Sequence, residues 1–160
     1  MPGPARFAAT TEVPVAKTRV EIERLLIRHG ATSTAFMNSS DRAMIMFEAH
    51  GRRIMIELPL PRRDQQQFTH SHGGRHRRAP EAALAAWEQA CRQSWRALRL
   101  ILLAKFEAIA GNVATFEDEF LPYTMLPDGR TVSDHVRPRV AAIYQDGKMQ
   151  PLLPRPGSIS

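Results

Sequence analysis

The stretch from Pro61 to Ala79 holds the densest group of side chains that could do chemistry, and these are arginines. A guanidinium group presents a planar fork of N–H donors that pairs with phosphate or carboxylate at two points. The stretch has no apolar periodicity and a single aromatic residue, Phe68, so we expect a mobile basic loop. We predict that the arginines of this loop contact phosphates with little sequence preference; they are Arg62, Arg63, Arg75, Arg77 and Arg78. The alternative is a solvated linker.

A second arginine set occurs at helical spacing further along the chain. Arg92, Arg96 and Arg99 occupy positions i, i+4 and i+7, which lie in one row on a helix. Such a row could follow a phosphate backbone. The alternative is an ordinary solvated helix face on which Glu88 pairs with Arg92.

The overall charge agrees with an anionic partner. The chain has 22 Lys and Arg residues against 16 Asp and Glu, a net charge of +6, and its lysines are only Lys17, Lys105 and Lys148. Basic proteins have many partners, so charge alone does not decide the function. We expect nucleic acid, with DNA in preference to RNA, and leave a homo-oligomer or a host protein open as further partners.

Residues that could bind metal or act as nucleophiles have simpler explanations. The loop histidines lack a cysteine or a rigid frame, which a zinc site needs, and Cys91 falls within an apolar helical pattern. An acidic cluster could hold Mg²⁺, but it stands where a helix N-terminus favours negative charge. We therefore expect no enzyme, no metal and no cofactor. The residues concerned are His70, His72, His76, Glu117, Asp118 and Glu119.

The elements that position these residues begin with a predicted hairpin. Arg42 to Ala49 and Arg52 to Leu58 are predicted strands joined by His50-Gly51, after a shorter strand from Thr34 to Met37. A two-residue loop pairs Phe47 with Ile54, Ile45 with Ile56 and Ala43 with Leu58, so one face is apolar. The other face carries charges and three methionines, Met44, Met46 and Met55.

Helical patterns surround the hairpin. Thr18 and Glu21 form a capping box that predicts a first helix from Arg19 to His29. A long helix is predicted from Pro80 to about Ala110. Leu100, Ile101 and Leu103 widen its apolar stripe in the middle, where we expect the helix to be buried on more than one side. A short helix capped by Thr115, a turn at Pro127-Asp128-Gly129 and a final helix from about Ser133 to Tyr144, in which Pro138 should cause a kink or mark the start, complete the pattern.

The domain organisation follows from these elements. We predict an α+β fold in which a small antiparallel three-stranded sheet packs on one long helix, followed by a short helix, a turn and a helix. Residues 1–16 are expected to be a flexible extension, residues 17–146 a single domain with its basic loop at 61–79, and residues 147–160 a loose Pro-rich tail. The absence of a secretory signal and of a long apolar run favours the cytoplasm.

The element order of helix, three strands and helix is similar to that of a double-stranded-RNA-binding domain. Such a domain begins its second helix with basic residues that contact phosphates, and Arg77 and Arg78 stand near that point. This chain departs from the family at His50-Gly51, where the family has Gly-Pro-x-His, and in its nineteen-residue basic loop and long helix. The likeness therefore concerns element order alone.

A second resemblance covers most of the chain, from Thr11 to Pro154. The stretches that carry it are residues 11–15 (TEVPV), 47–54 (FEAHGRRI), 58–61 (LPLP), 95–98 (WRAL), 116–121 (FEDEFL) and 126–132 (LPDGRTV). In these stretches the chain resembles an uncharacterised family of small proteins encoded by phages and prophages. The resemblance implies a mobile-element setting, in which small basic proteins accompany replication, recombination or host takeover, and it implies no active site.

Two functions are therefore compatible with the sequence. The preferred hypothesis is a non-enzymatic phage or prophage accessory protein that binds nucleic acid through its arginine-rich loop and helix row. The alternative is a protein-interaction module, either an inhibitor of a host factor or an oligomeric subunit, that uses Met44, Met46 and Met55 together with the long helix.

Overall fold

The computed structural model describes the backbone of residues 5–157 and the side chains of residues 15–157. The predicted α+β class, with a three-stranded antiparallel sheet, one long helix and a C-terminal short helix, turn and helix, is confirmed. The elements in chain order are α1 (Ala5–Arg28), β1 (Ser33–Asn38), β2 (Arg42–Ala49), β3 (Arg52–Pro59), α2 (Gln66–Thr69), α3 (Pro80–Ala110), α4 (Phe116–Phe120), a 3-10 turn (Leu121–Tyr123) and α5 (Val132–Asp146).

Helix α1 begins at Ala5, so the predicted start at Arg19 is wrong. The capping box at Thr18 and Glu21 lies inside the helix instead of opening it. Extending a helix that has already formed costs less than starting one, so the sequence before Thr18 continues the helix, with Pro14 inside it. The part of the predicted flexible extension that covers residues 1–4 lies outside the described residues.

The hairpin of β2 and β3 has the predicted register. Ala49 pairs with Arg52, Phe47 with Ile54 and Ile45 with Ile56. Strand β1 pairs with β2 and gives the order β1-β2-β3. His50 and Gly51 both have positive φ, 52° and 70°, as a two-residue hairpin loop requires.

The inner face of the sheet packs against α1, α3 and α4 to form the core. Burying each large apolar side chain here contributes about 1.5–3 kcal/mol. The described side chains that are almost completely buried are Ile22, Leu26, Ile45, Phe47, Ile54, Trp95, Leu102, Phe106 and Phe120.

Helix α3 matches its predicted bounds and its predicted stripe. Cys91, Trp95 and Leu98 are buried, as are Leu102 and Phe106 further along. The expectation that Leu100 and Ile101 are also buried is wrong, because Leu100 is 59% exposed and Ile101 is 51% exposed. At about 100° per residue they point away from the stripe that faces the sheet. None of the described helices combines the length and the apolar character that a membrane span needs.

The C-terminal part is fixed by capping contacts. Thr131 Oγ1 accepts from the Asp134 backbone N–H, and Asp134 Oδ2 accepts from the Thr131 N–H, so α5 begins at Val132. Pro138 therefore lies inside α5, not at its start. Proline cannot donate to the carbonyl four residues earlier, and that carbonyl, of Asp134, accepts from the Arg130 guanidinium instead. Residues 147–157 contain no helix or strand; the end of the predicted loose tail, residues 158–160, lies outside the described chain.

Candidate nucleic-acid interface

The segment from Pro61 to Ala79, hereafter the basic segment, has internal structure, contrary to the expectation that it has none. The Ser71 N–H donates to the His76 carbonyl and the Arg78 N–H to the Thr69 carbonyl, both at 2.7 Å. These bonds form a small hairpin after α2. Its turn contains Gly73 at φ 89°, a conformation that a residue with a Cβ rarely adopts. Backbone hydrogen bonds and a glycine turn form this hairpin, and neither needs alternating apolar side chains. No alternating apolar pattern is therefore seen in this part of the sequence.

Two aromatic residues attach the basic segment to the domain. Phe68 of α2 is 5% exposed, and α2 packs against α3. The Trp87 indole N–H of α3 donates to the Pro61 carbonyl at 2.7 Å. The Arg63 guanidinium lies 5.9 Å from the centre of the Trp87 ring, within cation–π range. The segment thus leaves β3 and enters α3 along a fixed path.

The arginines of the basic segment differ in whether a carboxylate already neutralises them. Arg62 donates to both oxygens of Asp64, at 3.2 and 2.8 Å, and this hydrogen bonding lowers the pKa of the Asp64 carboxyl. Among the described residues, Arg75, Arg77 and Arg78 make no ion pair. Arg75 and Arg77 are exposed and Arg78 is half-buried. These three therefore keep their charge available for an outside anion.

A concavity of about 450 Å³ lies beside this hairpin. It is lined by the glycine turn together with Gln66, His70, His72 and Arg78. Within the described part of the chain no three His, Cys, Asp or Glu residues are grouped so that they could hold a metal ion. The lining can instead donate hydrogen bonds to an anion from amide, imidazole and guanidinium groups.

The predicted row on α3 is divided by its partners. Arg99 forms an ion pair with Glu21 of α1 at 2.9 Å, so it joins two helices. Arg92 donates to the Gln89 side chain at 3.2 and 2.7 Å. Arg96 is exposed. Arg92 also lies about 140° around the helix from Trp87, which contacts the basic segment, so the two arginine sets lie on different sides of α3.

The acidic cluster and the cysteine have structural contacts. The Asp118 N–H donates to Thr115 Oγ1, as predicted for a capped short helix, and Glu119 binds Lys105 at 2.9 Å. Glu117 is exposed. Burial raises the pKa of the Cys91 thiol, which disfavours the reactive thiolate.

The outer face of the sheet carries the residues of the alternative hypothesis. Met44, Met46 and Met55 are half-buried, and none belongs to the core cluster of the described residues. Met37 of β1 was not predicted to lie on this face; it pairs with Met44 and is 59% exposed. The strand pattern of β1 could have identified it, because every second residue shares a face. We call these four residues the methionine face.

One polar pair was not predicted from the sequence at all. His135 of α5 is buried, and its Nε2 lies 2.6 Å from Asp128 Oδ2 in the preceding turn. The backbone hydrogen bond from Arg130, together with His135, lowers the pKa of the Asp128 carboxyl. No described nucleophile bonds to this pair, and its contacts hold the turn against α5.

Comparisons of the chain with protein-family models, with curated protein sequences and with solved structures find no match.

Proposed function

We propose that this chain is a non-enzymatic, nucleic-acid-binding accessory protein of a phage or prophage. The supporting observation is that Arg75, Arg77 and Arg78 lie together on a structured hairpin without carboxylate partners among the described residues. DNA is the preferred ligand and RNA the alternative. The bacterial host cytoplasm is where such a protein would meet its ligand.

The hairpin supports this proposal because it lowers the cost of binding. A fully mobile loop would lose conformational freedom when its arginines contacted phosphates. Here the backbone at Thr69, Ser71, His76 and Arg78 is already paired. The remaining cost is the ordering of the arginine side chains, which form charge-assisted hydrogen bonds with phosphate oxygens.

The main experiment is the salt dependence of binding to a random DNA duplex. Replacing Arg75, Arg77 and Arg78 with alanine should reduce the slope of log K against log salt concentration by about 2.7, at about 0.9 per phosphate contact. The matched control removes three exposed arginines elsewhere, Arg24, Arg28 and Arg137. Equal losses in both triple variants would show nonspecific charge attraction. Undetectable binding at about 50 mM salt would contradict the proposal itself.

The Arg62–Asp64 ion pair allows a test in the opposite direction. Asp64→Asn removes the carboxylate that holds Arg62 and leaves the arginine charge in place. Affinity should rise, and the salt slope should steepen by up to about 0.9, because one more guanidinium can reach a phosphate. Asp41→Asn is the control, because Asp41 is an exposed carboxylate that lies near Arg62 and makes no ion pair with it. If the two variants bind alike, Arg62 is not part of the interface.

A second candidate function, protein interaction through the methionine face, is supported by that face lying outside the core cluster. Flexible thioethers adapt to partner surfaces. Light scattering separates the candidates, because a homo-oligomer that is indifferent to salt and nucleic acid favours the second.

A further inference from the structure

The methionine face has a charge arrangement that matches itself. Strand β2 carries Arg42 at one end and Glu48 at the other, both on the outer face, and β3 carries Arg53 opposite Glu48 and Glu57 next to Arg42. The ion pairs Arg42–Glu57 and Arg53–Glu48 measure 3.3 and 3.1 Å. On β2 and β3, Met44, Met46 and Met55 lie between the two pairs, and Met37 lies beside Met44 on the uncharged strand β1. An ion pair therefore stands at each end of β2 and β3, on either side of an apolar centre.

A two-fold axis that crosses the strands at mid-sheet brings this pattern onto its complement. Each strand then lies over the same strand of a second copy, in the opposite direction, as in a face-to-face sheet packing. Arg42 faces Glu48 of the other copy, and Glu57 comes within about one row of its Arg53. All three strands overlap, and Met44 and Met46 meet their counterparts at the centre.

We propose that the methionine face is a homodimer interface with this two-fold axis. The inference names the occupant of the second candidate function and does not depend on nucleic-acid binding. The three strands have six, eight and eight residues and cover an area of about 25 Å by 14 Å. This is smaller than the roughly 800 Å² per partner of standard complexes, so the dimer is weak.

The first measurement is sedimentation equilibrium of the whole chain, without nucleic acid, up to about 1 mM protein. The expected result is a reversible monomer–dimer equilibrium. Met46→Glu should weaken dimerisation at least about tenfold, because it places a carboxylate at an apolar centre, and Met46→Leu should change it less than about threefold. A wild-type chain that stays monomeric throughout this range would overturn the proposal and leave the face to a different partner.

Charge exchange within each row tests the orientation. The variant R42E/E57R keeps the net charge and its own ion pair, yet it places a carboxylate opposite Glu48 of a second copy, where the arginine of the wild type stood. The variant E48R/R53E does the same at the other end. Each alone should dimerise at least about tenfold more weakly than wild type. Mixed in equal amounts, they should associate, because every facing charge is then opposite again.

Two results would overturn this geometry. If R42E/E57R alone dimerises like wild type, the axis does not cross the strands. An axis that runs along the strands, between β2 and β3, would place β2 over β3 of the second copy and would still pair opposite charges in this variant. If the mixture stays monomeric while both variants keep the wild-type far-ultraviolet spectrum and melting temperature, charge complementarity does not form the interface. The salt slope of DNA binding by the same variants is measured separately, so failure of one proposal is distinguishable from failure of the other.

Discussion

The β2–β3 hairpin and the hairpin in the basic segment, which comes after it along the chain, are held together by different forces. The β2–β3 hairpin pairs apolar residues on a buried face, where Phe47 and Ile54 are 2% and 0% exposed. The hairpin in the basic segment has three backbone hydrogen bonds, from the N–H groups of Ser71, Gly74 and Arg78, and one buried side chain nearby, Phe68. The first is part of the core. The second is attached to the core, so its opening need not unfold the domain.

The difference between the two hairpins shows which kind of structure can be predicted from residue types. Burial on one face requires alternation, so the register of β2 and β3 follows from residue types. Backbone bonds and positive-φ glycines leave no such pattern. In this protein the structure without a pattern is also the one that presents the free arginines.

Phe47→Ala should give the largest effect. Phe47 packs edge-on against Phe120 with ring centres 5.6 Å apart. Its loss should cost about 3–5 kcal/mol of the free energy of unfolding, measured by urea titration, because a large cavity remains in the core. Met46→Ala, at the preceding residue, which lies on the opposite face, should cost about 1 kcal/mol of the free energy of unfolding. Similar losses would mean that the two faces are not distinct.

Phe68→Ala should have a smaller global effect and a strong local one. We expect a loss of about 1–2 kcal/mol, less than for a core phenylalanine, because the basic segment can detach while the domain stays folded. Limited trypsin digestion should then cut near Arg75, Arg77 and Arg78 faster than in the wild type. A cooperative loss as large as that of Phe47→Ala would show that the segment is part of the core.

Two glycines allow the hairpins to be compared directly. Gly51 and Gly73 both have positive φ, 70° and 89°, and an added Cβ would meet nothing within 4 Å at either. Alanine should therefore cost about 1 kcal/mol of conformational strain at each. Gly51→Ala should lower the global free energy of unfolding, whereas Gly73→Ala should lower hydrogen-exchange protection only in the basic segment. Identical exchange patterns would contradict the separation.

The smallest effect is expected at the turn that contains Asp128, whose carboxylate contacts His135 of α5. The pKa of Asp128 is lowered in the folded chain, so its contribution to stability is present above the ordinary carboxyl pKa of 3.8 and is lost as pH falls below it. Asp128→Asn should therefore flatten the decline of melting temperature on the acid side. Asp146→Asn, an exposed carboxylate near the end of α5, is the control and should leave that decline unchanged.

Much of the fold could be predicted from the sequence, and the failures have physical causes. The stripe of α3 and the hairpin register depend on burial, which residue types report. The predicted start of α1 was wrong because a capping-box sequence inside a helix cannot be told apart from one at a helix N-terminus. Leu100 and Ile101 were wrongly expected to be buried, because an apolar side chain does not by itself show whether another element of the fold covers it.

The candidate site was predictable in composition and less so in arrangement. Arg75, Arg77 and Arg78 could be named from charge density alone. The ion pair of Arg99 with Glu21 and the contact of His135 with Asp128 join residues that no short-range pattern connects. The predicted row on α3 therefore loses Arg99 to a structural role.

The two tryptophans give the protein a built-in optical reporter. Trp95 is 1% exposed in the core, while half-buried Trp87 bonds to Pro61 and lies beside Arg63. Fluorescence from Trp87 should therefore change when the basic segment moves or meets a ligand, and emission from Trp95 should stay constant until the domain unfolds. A Trp95→Phe chain would isolate the first signal without any attached dye.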